Sequence, residues 1–286
     1  MGKIFDALEK SRQEMDALQA NPKKKTFAAD QAGQAEKNIP EALSLSLPEQ
    51  HNMDKNLITL LDPGSFESSH FKMLRTNLLF AEDMKPPATL LVTSAVPGEG
   101  KTFVSANLSV TFAQSINEHV LLLDCDVRRG MLHKVFGLGD NPGLSDHLSR
   151  AVPLEDLILK TGVDKLSLLP RGRLPDNPAE LLSSKRMEGL IKEIRDRYDD
   201  RYIIIDFPPP NLAPETAALA RHVDGILVVI KYRGTPRDLI SDLIETVGKE
   251  KIVGVVVNWV DIPSTGLYGY GKYGKYHKYY TSYSER

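Results

Sequence analysis

Thr89-Leu-Leu-Val-Thr-Ser-Ala-Val-Pro-Gly-Glu-Gly-Lys-Thr102 runs from an apolar segment through a turn of small residues into the start of a helical pattern. Thr89 to Ser94 is continuous and apolar, as a buried strand is. Ala95 to Thr102 spells A-x-x-x-x-G-K-T, a P-loop with Ala95 where glycine is more common. Phe103, Val104, Ala106, Leu108, Val110 and Phe112 then continue at helical spacing. That strand–loop–helix setting separates the motif from a chance glycine turn. Gly98 and Gly100 can take backbone angles closed to other residues, which turns successive amides toward a phosphate. The positive end of the following helix adds to the attraction. Lys101 supplies a mobile cation for β- and γ-phosphates, and Thr102 a hydroxyl for Mg²⁺. Pro97, Gly98, Glu99, Gly100, Lys101, Thr102 and Phe103 form the expected nucleotide cradle.

A second strand, His119-Val-Leu-Leu-Leu-Asp124, runs into Asp124-Cys-Asp126-Val-Arg128-Arg129. Two carboxylates two residues apart, just past a buried strand, point roughly the same way. Ligands of open parallel sheets bind beyond the carboxyl ends of the strands, so these acids face the P-loop edge. One is suited to accept a proton from a hydroxyl nucleophile and the other to hold metal-bound water. The arginines suit a phosphate or a neighbour's acid. The alternative for both acids is a turn that caps the next helix. Tyr202-Ile-Ile-Ile-Asp206 is a Walker-B-like strand whose terminal Asp206 either holds Mg²⁺, directly or through water, or caps the turn. Further strands are expected at 166–169, 225–230 and 252–258, the last two central in the sheet. Helices are expected over 67–84 with Phe71, Leu74 and Leu78 on one face, from Asn177-Pro178-Ala179-Glu180 by cap chemistry, over 187–198, and between the last two strands with Leu239, Ile240, Leu243 and Ile244 buried. The alternation predicts an α/β fold: a doubly wound, mostly parallel sheet with a P-loop core and helices on both faces.

The chain has 286 residues and a formal net charge of −2, so no global nucleic-acid signature is present and no nucleic-acid partner is expected. Its single cysteine, Cys125, excludes an internal disulfide and fits a reducing compartment. No apolar run approaches the roughly 18–20 residues that span a bilayer. Met1-Gly-Lys-Ile-Phe-Asp6 lacks a signal peptide's apolar core, and Asp6 stands where myristoylation needs Ser or Thr. The expected location is cytoplasmic, with any recruitment to the membrane's inner face through a partner. Residues 1–19 form an amphipathic helix through Ile4, Phe5, Leu8, Met15 and Leu18, which packs on its own domain or docks a partner. Residues 20–56 read as a flexible linker, 57–262 as the P-loop domain, and 263–286 as a tyrosine-rich tail. That tail holds Tyr268, Tyr270, Tyr273, Tyr276, Tyr279, Tyr280 and Tyr283, seven of the chain's ten tyrosines, spaced by Gly and Lys without apolar periodicity.

The set Ala95–Thr102, Leu121-Leu-Leu-Asp124-Cys-Asp126-Val-Arg128-Arg129 and Ile203-Ile-Ile-Asp206-Phe-Pro208-Pro209 resembles the bacterial tyrosine kinases of exopolysaccharide and capsule synthesis. Leu74-Arg-Thr-Asn-Leu78, Pro142-Gly-Leu-Ser145, Asn177-Pro-Ala-Glu-Leu-Leu182 and Gly254-Val-Val-Val-Asn258 are further matches, and the resemblance covers about residues 57–286. It implies an ATP- and Mg²⁺-dependent autokinase whose tyrosine cluster is phosphorylated by a neighbouring subunit. It implies that Lys101 binds phosphates, Asp124 accepts the tyrosine proton, and Asp126 and Asp206 organise Mg²⁺ and its waters. Thr102, Asp124 and Asp206 are the metal ligands so expected, and Asn258 an adenine contact. The implied partners are a separate membrane-embedded chain-length regulator that activates the kinase, further copies of the chain, and a phosphotyrosine phosphatase. The tail suits that reading: Lys272, Lys275, Lys278 and Arg286 against Glu285 make it basic, and each phosphate would add about −1.5 to −2 charges.

Two departures accompany the resemblance, and two alternatives stand beside it. The family's oligomer motif, Glu-x-x-Arg-x-x-Arg, falls here on Ser69, Lys72 and Arg75, which puts a ring-shaped oligomer in question. Phe207 stands where Thr often follows the Walker-B-like Asp. Val96 and Pro97 occupy the positions where partitioning and septum-placement ATPases of the same fold carry Lys and Gly, which counts against a dimeric switch. An ATP-binding assembly module without kinase activity is the third reading, and the intact Lys101, Asp124 and Asp206 set counts against it.

Overall fold

A computed structural model describes residues 52–80, 86–116, 118–197, 201–213 and 215–260. The amphipathic helix expected at 1–19, nearly all of the linker and the tyrosine-rich tail lie outside the described residues. Seven strands form one sheet: β1 (Thr89–Ser94), β2 (His119–Asp124), β3 (Leu159–Lys160), β4 (Leu166–Leu169), β5 (Arg201–Asp206), β6 (Gly225–Lys231) and β7 (Ile252–Asn258). Their spatial order is β3-β4-β2-β5-β1-β6-β7. Every pairing is parallel except β3 with β4. Buried on both faces, β1, β2 and β5 are apolar almost without interruption, where a half-exposed sheet would alternate.

The longer helices are α1 (Phe66–Leu79), α2 (Lys101–Ala113), α3 (Lys185–Arg197) and α4 (Arg237–Val247). One apolar layer joins α3, α4 and the short helices Leu144–Arg150 and Glu215–Ala220 to one face of the sheet, through Leu121, Leu123, Ile203, Ile205 and Phe207. The other joins α1 and α2 to the opposite face, through Leu90, Val92, Leu122 and Ile204. From Val104 to Ala113 every residue of α2 is buried. Its hydroxyls bond back along the helix, Ser109 Oγ donating to the Ser105 carbonyl at 2.7 Å and Thr111 Oγ1 to the Asn107 carbonyl at 2.7 Å, so the polar residues of a buried helix are satisfied locally.

Several expectations need correction. α1 ends at Leu79, not near 84; its Phe71 and Leu78 are buried and Leu74 packs against them, as the face predicts. β7 is an edge strand rather than a central one, with Val255 and Val257 about half exposed, at 55% and 48%. In α4 only Leu243 and Val247 are fully buried; Leu239, Ile240 and Ile244 are partly covered, because α4 lies over this lightly packed end of the sheet. Asn177 precedes the helix Pro178–Leu182 but makes no side-chain cap bond; Pro178 at its first turn starts it. At the expected linker's end Met53 is buried and the Asp54 amide donates to the Val135 carbonyl at 2.9 Å, while Asn52, Asp54, Lys55 and Asn56 are exposed.

The oligomer-motif positions are also spoken for. Arg75 Nη1 donates to the Thr111 carbonyl at 2.7 Å and to Ser115 Oγ at 2.9 Å, tying α1 to the end of α2. Lys72 Nζ donates to the Pro63 carbonyl at 2.8 Å, and Ser69 Oγ to the Ser65 carbonyl at 3.1 Å. A guanidinium at a helix C-terminus satisfies carbonyls that the helix cannot. Arg75→Ala should therefore lower the stability of the protein by about 1–2 kcal/mol, measured by urea unfolding at unchanged m-value.

Candidate nucleotide-binding and phosphoryl-transfer site

The carboxyl ends of β1, β5 and β2 lie side by side, with Asp124 level with Asp206 and Asp206 level with Val92. The connection from β1 runs past β5 to β2, while that from β5 runs past β1 to β6, and an open α/β sheet forms its crevice where the strand order reverses in this way. The P-loop rises from β1 into this crevice. Gly98 and Gly100 adopt left-handed backbone angles, φ 82° and 97°, and Gly100 caps α2. A Cβ on Gly100 would come within 2.1 Å of Asn258 Nδ2. Only glycine meets both demands.

Lys101 Nζ lies 3.0 Å from Asp126 Oδ2 and 3.6 Å from Asp206 Oδ1. Thr102 Oγ1 donates to Asp206 Oδ2 at 2.6 Å, and Ser105 Oγ lies 3.4 Å from Asp206 Oδ1. Asp126 also accepts the Arg129 amide at 3.0 Å on Oδ1, so it caps its own turn and holds the lysine at once. Asp124 is wholly buried; its Oδ2 accepts the Leu132 amide at 3.0 Å, and its Oδ1 has no partner among the described residues. The two loop acids, expected to point the same way, thus divide: Asp126 faces the cavity and Asp124 stands behind it.

Electrostatics follow from that packing. Burial, then the Asp206 carboxylate, raises Asp124 from 3.8 to about 8, against the opposing pull of the Leu132 amide and Lys101. Burial raises Asp206 as well, although Lys101 and the Thr102 hydroxyl favour its charged form. Burial alone would lower Lys101, but Asp206 and Asp126 outweigh it and hold the ammonium above its ordinary range. Cys125, between the acids, is buried and its thiol is pushed well up, first by burial and then by Asp124. It is an inert core residue.

Three expected nucleotide contacts do something else with their side chains. Glu99 is buried; its Oε2 accepts the Val96 amide at 3.0 Å, and its Oε1 accepts the Lys231 amide at 3.2 Å and the Thr235 hydroxyl. It pins the loop to the end of β6. Asn258 Nδ2 donates to the Glu99 carbonyl at 2.8 Å, and so supports the loop from β7. Phe103 packs edge-on to Phe71, with ring centroids 5.7 Å apart, which leaves its backbone for any phosphate contact. A cavity of about 340 Å³ opens beside Lys101, Asp126 and Pro97, walled by Arg129, Pro209 and Leu212. A second, of about 380 Å³, lies past Gly100 between Phe103, Asn258 and Trp259. Arg128, expected to meet a phosphate, spends Nη1 on the Leu212 carbonyl at 3.0 Å. Pattern reading missed Gly130: a Cβ there would stand 2.2 Å from Asp124 Oδ1. It also missed the Leu132 amide, because a backbone donor carries no residue signature.

The donor set suits Mg²⁺. Thr102 Oγ1 and Asp206 offer hard oxygen donors with Asp124 beside them, and a nearby cation would offset the burial and repulsion that raise both acids. No group of three His, Cys, Asp or Glu side chains among the described residues makes a protein-only site; Mg²⁺ is ordinarily held by one or two carboxylates together with substrate phosphates.

With this geometry in view, the comparisons are decisive. The family described as AAA domain matches residues 90–252. The tyrosine-protein kinase YwqD of Bacillus subtilis (strain 168) is 34% identical over 220 residues, covering 76% of this chain and 92% of that one. The chain belongs to the bacterial tyrosine kinase family. Other bacterial tyrosine kinases are longer: the alignment with Salmonella typhimurium Wzc, at 32% identity, covers 75% of this chain but 30% of Wzc, and that with the putative kinase EpsB of Ralstonia nicotianae, at 36%, covers 27% of EpsB. Among solved structures, the kinase domain of Escherichia coli tyrosine kinase ETK matches with a TM-score of 0.65 at 29% identity, over 78% of this chain and 88% of that one. The chimerical protein CapA2B2 matches equally well, with a TM-score of 0.65. Among the described residues no helix is long and apolar enough to cross a membrane.

Two outcomes test the site. A carboxyl whose pKa rises on folding contributes stability that is complete below its unfolded value and is lost as pH climbs through its folded value. For Asp124 that window runs from 3.8 to about 8. In thermal melts of nucleotide-free protein, Asp124→Asn should therefore exceed wild type above the upper limit, with the gain shrinking toward the lower one. Gly130→Ala should push the Asp124 carboxylate out of place and weaken Mg²⁺–nucleotide binding on the order of tenfold, read by titration calorimetry, through the clash rather than any lost contact.

Proposed function

We propose that the chain is an ATP-dependent protein-tyrosine autokinase that phosphorylates the tyrosine cluster at its own C-terminus, on a neighbouring copy, in the control of exopolysaccharide or capsule production. One observation carries the reading: a P-loop lysine held between Asp126 and Asp206, with Asp124 buried beside them, in a chain whose relatives are named tyrosine-protein kinases. ATP would place its phosphates on the amides of residues 97–103, with Lys101 turning from its carboxylates toward the β- and γ-oxygens. Bound Mg²⁺, on Thr102 and Asp206, would neutralise the phosphate charge.

The chain's own groups do the rest by position and charge. The tyrosine Oη bonds to the γ-phosphorus as the bond to the bridging oxygen breaks, ADP leaves with that electron pair, and the phenolic proton passes to a carboxylate. Both oxygens of Asp126 are engaged, by Lys101 and by the Arg129 amide. Asp124 Oδ1 is the carboxylate oxygen without a donor, and this supports Asp124 as the acceptor. Its raised pKa keeps it protonated in the nucleotide-free fold at neutral pH. The charge of Lys101 and the metal must restore the carboxylate before it can act.

A membrane-embedded chain-length regulator is the proposed activator and a phosphotyrosine phosphatase the proposed antagonist. The site test is mass spectrometry of the full chain incubated with Mg²⁺ and ATP, wild type against Lys101→Met. Phosphate on the cluster from Tyr268 to Tyr283 should fall by at least about a hundredfold in the variant. Turnover of ATP with no phosphotyrosine, with or without added activator, would replace the kinase with a nucleotide switch.

A further inference from the structure

The cavity beside Lys101 holds a second buried acid that the transfer reaction does not use. Glu215 begins the short helix Glu215–Ala220 and lines the cavity with Pro208, Pro209 and Leu212. It is 6% exposed, and its Oε2 is buried with no hydrogen-bond partner among the described residues. No ion pair reaches it there either: Arg128 is turned to the Leu212 carbonyl. A buried carboxylate oxygen without a donor is costly unless something arrives to satisfy it. The cavity's chemistry is thus an apolar wall of prolines and leucine, the exposed Arg128 and Arg129 along another side, the phosphoryl-transfer groups at one end, and a buried Glu215 oxygen that none of these donors reaches.

The chain carries a matching ligand. Its tail repeats Tyr-x-Lys three times in register: Tyr270-Gly-Lys272, Tyr273-Gly-Lys275 and Tyr276-His-Lys278. In an extended peptide residues two apart lie on the same side, about 6.5–7 Å from each other. The other four tyrosines differ: two positions after Tyr268, Tyr279, Tyr280 and Tyr283 stand Tyr270, Thr281, Ser282 and Glu285.

Resting on the autokinase reading, we propose that this cavity is the acceptor subsite for the tail of another copy and selects Tyr-x-Lys. The tyrosine ring lies against the prolines with its hydroxyl toward Lys101 and Asp126, and the lysine two residues on pairs with Glu215. Tyr270, Tyr273 and Tyr276 are then the favoured acceptors, and Glu215 is a specificity residue, not a catalytic one.

The test mixes two full-length chains. The donor has its seven tail tyrosines replaced by Phe; the acceptor carries Lys101→Met. With Mg²⁺ and ATP, phosphate should appear on the acceptor's Tyr270, Tyr273 and Tyr276 on the order of tenfold faster than on its other tail tyrosines, the gain expected of a charge-assisted bond to a buried acid. Replacing acceptor Lys272, Lys275 and Lys278 by Gln should erase the preference, and so should donor Glu215→Gln; the two together should do no more than either. Donor Glu215→Lys should recover it with an acceptor whose three lysines are Glu. A preference that is absent, or that survives Glu215→Gln, overturns the proposal. The acceptor's lysine changes touch no described residue and are compared on one Lys101→Met background, so misfolding of the domain cannot produce their effect. Should no phosphate transfer at all, with or without added activator, the kinase reading fails, and a second measurement judges the subsite: binding of a labelled peptide of residues 269–278 to the full chain with Mg²⁺ and a non-hydrolysable ATP analogue. Its Kd should rise on the order of tenfold with Glu215→Gln and with Lys→Gln in the peptide; equal affinities would overturn the proposal.

Discussion

A single ammonium group holds the site together. Lys101 reaches across from the start of α2 to Asp126 on the β2 loop and to Asp206 at the end of β5, with Asp124 directly beside them. Three acids and one cation in a buried crevice are not balanced, and burial together with that imbalance raises Asp124 and Asp206. The nucleotide-free protein meets it by keeping a proton on Asp124. A metal–nucleotide complex would meet it with positive charge, and would draw Lys101 away toward the phosphates. The groups that pair with one another in the crevice are those that a nucleotide would rearrange, so its binding would be linked to proton release.

The loop that carries this lysine is fixed from outside. Glu99, at the P-loop's crest, takes amides from Val96 and Lys231, and Asn258 holds the Glu99 carbonyl. Both anchors lie on the β6–β7 side, the more lightly covered end of the sheet, where Val255 and Val257 face solvent. Preorganised amides are worth more than amides that must be ordered on binding. Glu99 and Asn258 brace the loop's shape, through which they would act on a bound nucleotide. Arg75 plays a similar structural part on the other side, joining α1 to the end of α2. A residue placed by its pattern at an oligomer surface is instead occupied within its own chain.

The parts legible in the sequence are those whose physics is local. Thr89–Ser94, His119–Asp124 and Ile203–Asp206 had to be buried strands because little but a doubly covered sheet absorbs such apolar runs. The left-handed turns at Gly98 and Gly100, leading into a helix at Lys101, were legible because the motif's spacing and backbone freedom demand them. Acids at the ends of two such strands had to meet the P-loop, since parallel strands present their carboxyl ends together. Asp126's reading as a turn cap holds in its bond to the Arg129 amide, and the same carboxylate also pairs with the P-loop lysine.

What tertiary structure alone decided was which atom faces which. Strand order put β7 at the edge, and nothing in Ile252–Asn258 marks an edge strand, because its composition is that of a central one. The separation of Asp124 from Asp126 depends on the amide of Leu132 and the space at Gly130, neither of which has a side-chain signature. Glu215 could be read from sequence only as one more helix-start acid; its burial and its unpartnered oxygen exist only once the β5 loop folds over it. The sequence determined the fold class and the residues of the crevice because propensity and spacing act along the chain. Packing decided their charge states and partners, because burial and repulsion act through space.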